Sequence, residues 1–92
     1  MEHTIQRVEC NCHSGRQFDY ICDNCSLRLL GYYNKHYFEK LTGWTWVLSY
    51  GVAGEEIATA GSKYIQTYGG TEENALEDGL KRFNEEPCLK PN

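Results

Sequence analysis

Proline is nearly absent from this chain of 92 residues: there are two, and neither lies before residue 87. Almost the whole length is therefore free to form helix or strand without a forced break. Long apolar runs are also missing, and no stretch approaches the roughly 20 residues needed to span a bilayer as a helix. The opening "MEHTIQRVEC" is polar and has no apolar segment of the secretory kind, so the expectation is a cytoplasmic protein with reduced thiols. Basic charge is scarce as well. Nine Lys and Arg stand against thirteen Asp and Glu, for a net charge of −4. Residues 1–43 balance at zero, with five of each sign. Residues 44–92 carry the whole excess, with eight acidic and four basic groups. Phosphate-backbone binding needs a basic face, so naked nucleic acid is the lesser expectation as a partner. Docking on a basic protein surface suits this balance better.

No nucleotide or catalytic motif fills the gap. "GVAGEE" has neither the lysine nor the following helix of a phosphate-binding loop. Gly69-Gly70 precedes a helix, but Glu72 and Glu73 already occupy that anion-attracting position, which makes a plain turn the better reading. His3, His13 and His36 are the histidines. His3 falls in a terminal segment and His36 on the polar side of an expected helix, while Cys88 follows Pro87 in a tail. None of them joins a nucleophile–base order, so no enzyme is expected and no small-molecule substrate is implied.

What the chain does have is a cysteine cluster. "ECNCHSGRQFDYICDNCS" (residues 9–26) holds four of the five cysteines and one histidine. Cys22 and Cys25 have the Cys-x2-Cys spacing with which one bend of chain supplies two zinc ligands. Cys10 and Cys12 are one residue apart, whereas Cys10 and His13 have the two-residue gap. The candidate metal set is therefore Cys10, Cys12, Cys22 and Cys25, with His13 as the alternative to Cys12. Free thiols and disulfides remain competing readings; the odd fifth cysteine and a reducing compartment count against the disulfides. A structural zinc is expected in preference to a catalytic one, because no set leaves an open position beside a base. Residues 5 to about 35 resemble a compact treble-clef zinc finger, in which a knuckle, a hairpin and a helix start share one ion. That resemblance implies a helix directly after Cys25.

Patterning along the chain predicts ββ-α-ββ(β)-α, a single α+β domain with two helices on an antiparallel sheet. "TIQRVEC" (4–10) and "RQFDYIC" (16–22) read as a hairpin closed through Ser14-Gly15. Asp23 or Asn24 would cap a helix starting near Cys25, with Leu30, Tyr33, Tyr37 and Leu41 as its buried stripe and Gly43 ending it. "WTWVLSYGV" puts Trp44, Trp46, Leu48, Tyr50 and Val52 on one strand face. A turn at 53–55 leads to a partner strand around 56–60, and "SKYIQTY" suggests a further short strand. Thr71 caps a last helix with Leu76, Leu80 and Phe83 inward, small Ala75 and Gly79 allowing close approach, and Pro87 as its stop. The domain thus divides into a Cys-rich hairpin and helix (4–42), a β-hairpin and helix (44–86) and a tail (87–92).

Candidate contact residues are Arg28, Tyr32, Lys35 and His36 on the outer side of the first helix, and Glu73 and Glu77 on the last. Glu77–Lys81 and Asp78–Arg82 also fit plain i,i+4 surface pairs. In size, charge and αβ pattern the chain is similar to small phage or mobile-element inhibitors of the anti-CRISPR type. That resemblance implies docking on a host protein or ribonucleoprotein complex and assigns no residue. The alternative is a zinc-stabilised nucleic-acid-binding regulator using the N-terminal half.

Overall fold

In the computed structural model, residues 2–8, 16–34, 43–50, 64–68 and 70–88 are described. They form one antiparallel sheet crossed by one helix. A three-residue edge strand, β1 (Ile5–Arg7), leads into four longer ones: β2 (Arg16–Cys22), β3 (Leu27–Asn34), β4 (Gly43–Tyr50) and β5 (Tyr64–Tyr68). The strands lie in sequence order, β1-β2-β3-β4-β5, and helix α1 (Glu72–Glu85) packs across β3 and β4.

The hairpin expectation holds in the described part: Ile5 pairs with Cys22, Gln6 with Ile21 and Arg7 with Tyr20. Its closing turn at Ser14-Gly15 lies outside the described residues. The expectation of a helix from Cys25 is overturned, since Leu27–Asn34 is a strand paired along its length with β4 from Leu27↔Tyr50 to Asn34↔Gly43. Gly43 therefore opens β4 instead of ending a helix. The physical reason is that β3 is a central strand with both faces buried. Such a strand reads as a continuous apolar run, and periodicity alone cannot separate it from a buried helix. The stripe residues Tyr37 and Leu41, the turn at 53–55, the strand around 56–60 and Val52 fall outside the described residues. The short strand expected within "SKYIQTY" is β5, paired directly with β4.

Alternation then assigns the two faces. Phe18, Tyr20, Cys22, Leu27, Leu29, Trp46 and Leu48 point to the helix side and form the main core with Ala75 and Phe83. The helix lies close because its inner line is Ala75, Gly79 and Phe83, four apart, with Leu76 and Leu80 half-buried beside it. A Cβ on Gly79 would sit 2.9 Å from Leu29 Cδ1 and 3.3 Å from Trp46 Cγ. Thr71 caps the helix as expected, its hydroxyl accepting from Asn74 N at 3.2 Å, and the chain leaves at Pro87. Asp78 turns inward to accept from Trp46 Nε1 at 2.9 Å, so the expected Asp78–Arg82 pair gives way. Arg82 forms ion pairs with Glu85 and Glu86 instead, at 3.6 and 3.5 Å, and its guanidinium lies 3.9 Å from the centre of the Tyr64 ring.

Arg28 was expected on an exposed helix face, but it is fully buried on the other side of the sheet. Its Nε and Nη2 donate to the two carboxylate oxygens of Asp19 at 2.8 and 2.5 Å. The pair is diagonal across β2 and β3, because Asp19 faces Leu30 and Arg28 faces Ile21. A two-pronged contact of this kind is strong enough to hold both charges out of water. Beside it, Leu30 and Val47 form a small second cluster with half-buried Tyr32.

Two stability predictions follow from this packing. Gly31 lies under the Phe18 ring, where a Cβ would fall 1.8 Å from Phe18 Cζ. Gly31→Ala is expected to cost about 1–3 kcal/mol or more in urea unfolding, with much of the loss recovered by adding Phe18→Leu. Equal losses in the two backgrounds would contradict the contact. Arg28→Ala is expected to destabilise by about 3–5 kcal/mol, because it removes the cation that neutralises a buried carboxylate, whereas the joint replacement Asp19→Leu with Arg28→Met should cost less than Arg28→Ala alone. Additive losses would show that the two charges do not depend on each other.

Candidate metal centre

Three separate segments meet at the end of the sheet where β2 turns into β3. The turn itself is Asp23, Asn24 and Cys25, where a helix cap was expected. Ser26, with φ 64, takes the left-handed conformation that completes it, and its N–H donates to Cys22 O at 2.9 Å. This folds the Cys-x2-Cys segment back on itself and sets both thiols on the inner side, buried.

The N-terminal segment is strapped over that turn. Asp23 N donates to Thr4 O at 3.0 Å, Asn24 Nδ2 to Thr4 Oγ1 at 3.1 Å, and Gln6 Nε2 to Asp23 Oδ2 at 2.5 Å. Because Ile5 pairs with Cys22, the residues before it run alongside the turn and carry His3 to the thiols. The His3 ring packs edge-on against Phe83, with centroids 4.8 Å apart. Its Nε2 lies 2.8 Å from Glu86 O. A carbonyl only accepts, so Nε2 carries the proton there, and Nδ1 presents a lone pair to Cys25 Sγ at 3.4 Å.

The third segment follows α1. Beyond Pro87 the chain places Cys88 back into the core, where its Sγ lies 3.8 Å from Cys22 Sγ. The donor atoms of His3, Cys22, Cys25 and Cys88 all fall within 4.8 Å of one another, the three thiols buried and the imidazole half-buried. This arrangement is compatible with a metal ion.

Crowding has an electrostatic consequence. Burial raises the Cys22 thiol's pKa, but hydrogen bonding with the backbone at Cys25, Asn24 and Thr4, together with the adjoining His3 ring, outweighs it and brings the value down to about 6. Burial, hydrogen bonds to the neighbouring thiols and repulsion from Cys25 and Cys22 push Cys88 up to about 11. In the protein alone Cys22 thus favours the thiolate and Cys88 resists it. A bound cation would remove that resistance.

Of the residues singled out in the sequence, Cys22 and Cys25 are brought together here. Cys10, Cys12 and His13 lie outside the described residues, as do Lys35 and His36. Tyr32 is half-buried against Leu30 and Val47, and Glu73 and Glu77 are exposed on α1. The strand after Cys25 stands where the zinc-finger resemblance implied a helix. His3 and Cys88 were set aside in the sequence reading as terminal residues. A two-ligand Cys-x2-Cys that needs two more donors is a signal toward Cys88, the one cysteine outside the cluster; nothing local marks His3.

Comparison with protein-family models, with curated proteins and with solved structures finds no match to this chain.

The opposed shifts set the pH behaviour of the metal-free protein. The lowered Cys22 value contributes stability that is full above the unfolded thiol pKa of about 8.5 and is lost as pH falls toward 6. The stability advantage of the wild type over Cys22→Ser, both metal-free, should therefore grow between pH 6 and 8.5. The raised Cys88 value acts in the other direction, and its contribution fades as pH rises toward 11. An advantage that stays flat from pH 6 upward in urea titrations would contradict the Cys22 shift.

Proposed function

We propose that this chain is a non-enzymatic docking protein, anti-CRISPR-like in its mode of action, which binds a host protein or ribonucleoprotein complex and is held in shape by a structural zinc ion. The observation that carries the reading is the burial of the one described cluster of reactive groups. Four protein donors drawn from three segments lie within 4.8 Å of one another, enough to fill a tetrahedral shell, and a shell so filled would have no open position for a substrate. The chemistry of the cluster is used to hold the chain, which leaves recognition to the surface. Thiolate and imidazole donors suit zinc, and metal binding of this type adds directly to folding stability in a domain of this size.

Several surface features support docking on a protein. Tyr33, Tyr50 and Tyr64 are 45%, 38% and 36% exposed, and tyrosine is a frequent interface anchor. Tyr33 stacks edge-on with Trp44 at 5.8 Å, which holds its ring in place before any partner arrives. Glu72, Glu73 and Glu77 give α1 an acidic outer side suited to a basic partner surface. No helix among the described residues is long and apolar enough to cross a membrane.

The test is capture of a host complex by tagged, zinc-loaded protein, with naked RNA and DNA assayed in parallel. One complex at fixed stoichiometry is expected, with binding weakened at least about tenfold by Tyr33→Ala or by the double reversal Glu73→Lys with Glu77→Lys. Tight binding of naked nucleic acid that falls steeply with salt would favour the zinc-stabilised regulator instead.

A further inference from the structure

We propose that His3 Nδ1 and the Sγ atoms of Cys22, Cys25 and Cys88 are the four ligands of one tetrahedral zinc-class ion, which clasps the segment before β1 and the segment after α1 onto the β2–β3 turn. This deepens the reading of a structural metal and rests on it.

Distances argue for it first. A tetrahedral ion with metal–sulfur bonds of about 2.3 Å holds its sulfurs about 3.8 Å apart, and a nitrogen at about 2.0 Å lies some 3.5 Å from each sulfur. The Cys22 and Cys88 sulfurs are 3.8 Å apart, and Cys25 Sγ is 3.4 Å from His3 Nδ1. A disulfide would need about 2.0 Å. A hydrogen bond between two thiols could explain one such pair, but it does not explain four donors converging from positions 3, 22, 25 and 88.

Orientation argues for it next. The Nε2–H bond to Glu86 O fixes the tautomer that leaves Nδ1 free to donate, the second partner that a metal-binding histidine ordinarily has. The turn that left-handed Ser26 completes keeps both thiols of the Cys-x2-Cys segment within 4.8 Å of the His3 and Cys88 donor atoms. Three thiolates and an imidazole select zinc, cobalt(II) or cadmium over magnesium or calcium, which prefer oxygen. With four protein donors, three of them buried thiols, the ion would have no open position.

The clasp follows from chain order. Cys22 ends β2 and Cys25 lies in the β2–β3 turn, whereas His3 and Cys88 are flanking residues, with Thr4 and Glu86 tied into the same end. Metal loading would therefore join the two flanking segments, which lie 85 positions apart (88 − 3) in the chain.

Cobalt(II) titration of the full chain under anaerobic, reducing conditions tests the assignment. One ion per chain is expected, with tetrahedral ligand-field bands and a sulfur-to-cobalt charge-transfer band. Cys88→Ser should lose about a third of the charge-transfer intensity and bind at least about tenfold more weakly, while His3→Gln should shift the ligand-field bands and keep the charge transfer. Cys10→Ser, Cys12→Ser and His13→Ala should change neither. Because a ligand variant can fail to fold, the unaltered chain loaded with NMR-active cadmium gives a second readout, with through-bond couplings expected to the β-protons of Cys22, Cys25 and Cys88. Couplings to Cys10 or Cys12 in place of Cys88 would overturn the ligand set while leaving the structural metal intact. Absence of any cobalt or cadmium binding would overturn both.

Discussion

Strand β3 runs between β2 and β4 with both of its faces buried, and the other features of the domain depend on that burial. On one side Leu27 and Leu29 lie under α1, and Gly31 lies flat beneath the Phe18 ring. On the other side Arg28 and Leu30 are out of water, and Asp19 on β2 meets the Arg28 charge there with both oxygens. Leu30 and Val47 continue that face across to β4. A strand so placed permits little change of register. A slip of one residue would send Arg28 into the helix-side core and Leu29 to the ion pair's place.

Register in turn positions the cysteine-histidine cluster. The antiparallel pairing of Ile5 with Cys22 carries the N-terminal segment past the β2–β3 turn, and α1 runs so that Phe83, Glu86 and Cys88 arrive at the same end. Helix and sheet approach closely enough for this because Ala75 and Gly79 present almost no side chain at the contact. The three thiols and the imidazole are thus gathered by the sheet, the helix and a short strap of hydrogen bonds through Thr4. In a domain of this size, a metal at that point would join segments that the hydrophobic core alone holds only at its edge.

The proposal that the molecule is a docking protein is supported by where its polar and aromatic groups are placed. Arg28, the most obvious cation of the first half, is used up inside the sheet. Exposed tyrosines lie at the ends of β3, β4 and β5, and acidic groups line the outer side of α1. Under that proposal, these described groups would suit a protein surface carrying basic charge better than bare phosphate.

Local pattern by itself determined the elements whose signals are one-sided. The alternation of Trp44, Trp46, Leu48 and Tyr50 marked β4, and Thr71, the acidic first turn and Pro87 marked the helix with its small inner residues. The β1–β2 hairpin and the Cys22–Cys25 pair were legible for the same reason, since each is written in neighbouring residues. Only the tertiary structure decided that "LRLLGYYN" is a strand, because burial on both faces erases the alternation that would have marked it. It also decided that Arg28 faces inward, through a partner nine residues away on another strand. The remaining donors of the cluster, His3 and Cys88, were decided there too. A cysteine-histidine cluster assembled from distant segments is set by strand register and helix direction, which no short window of sequence contains.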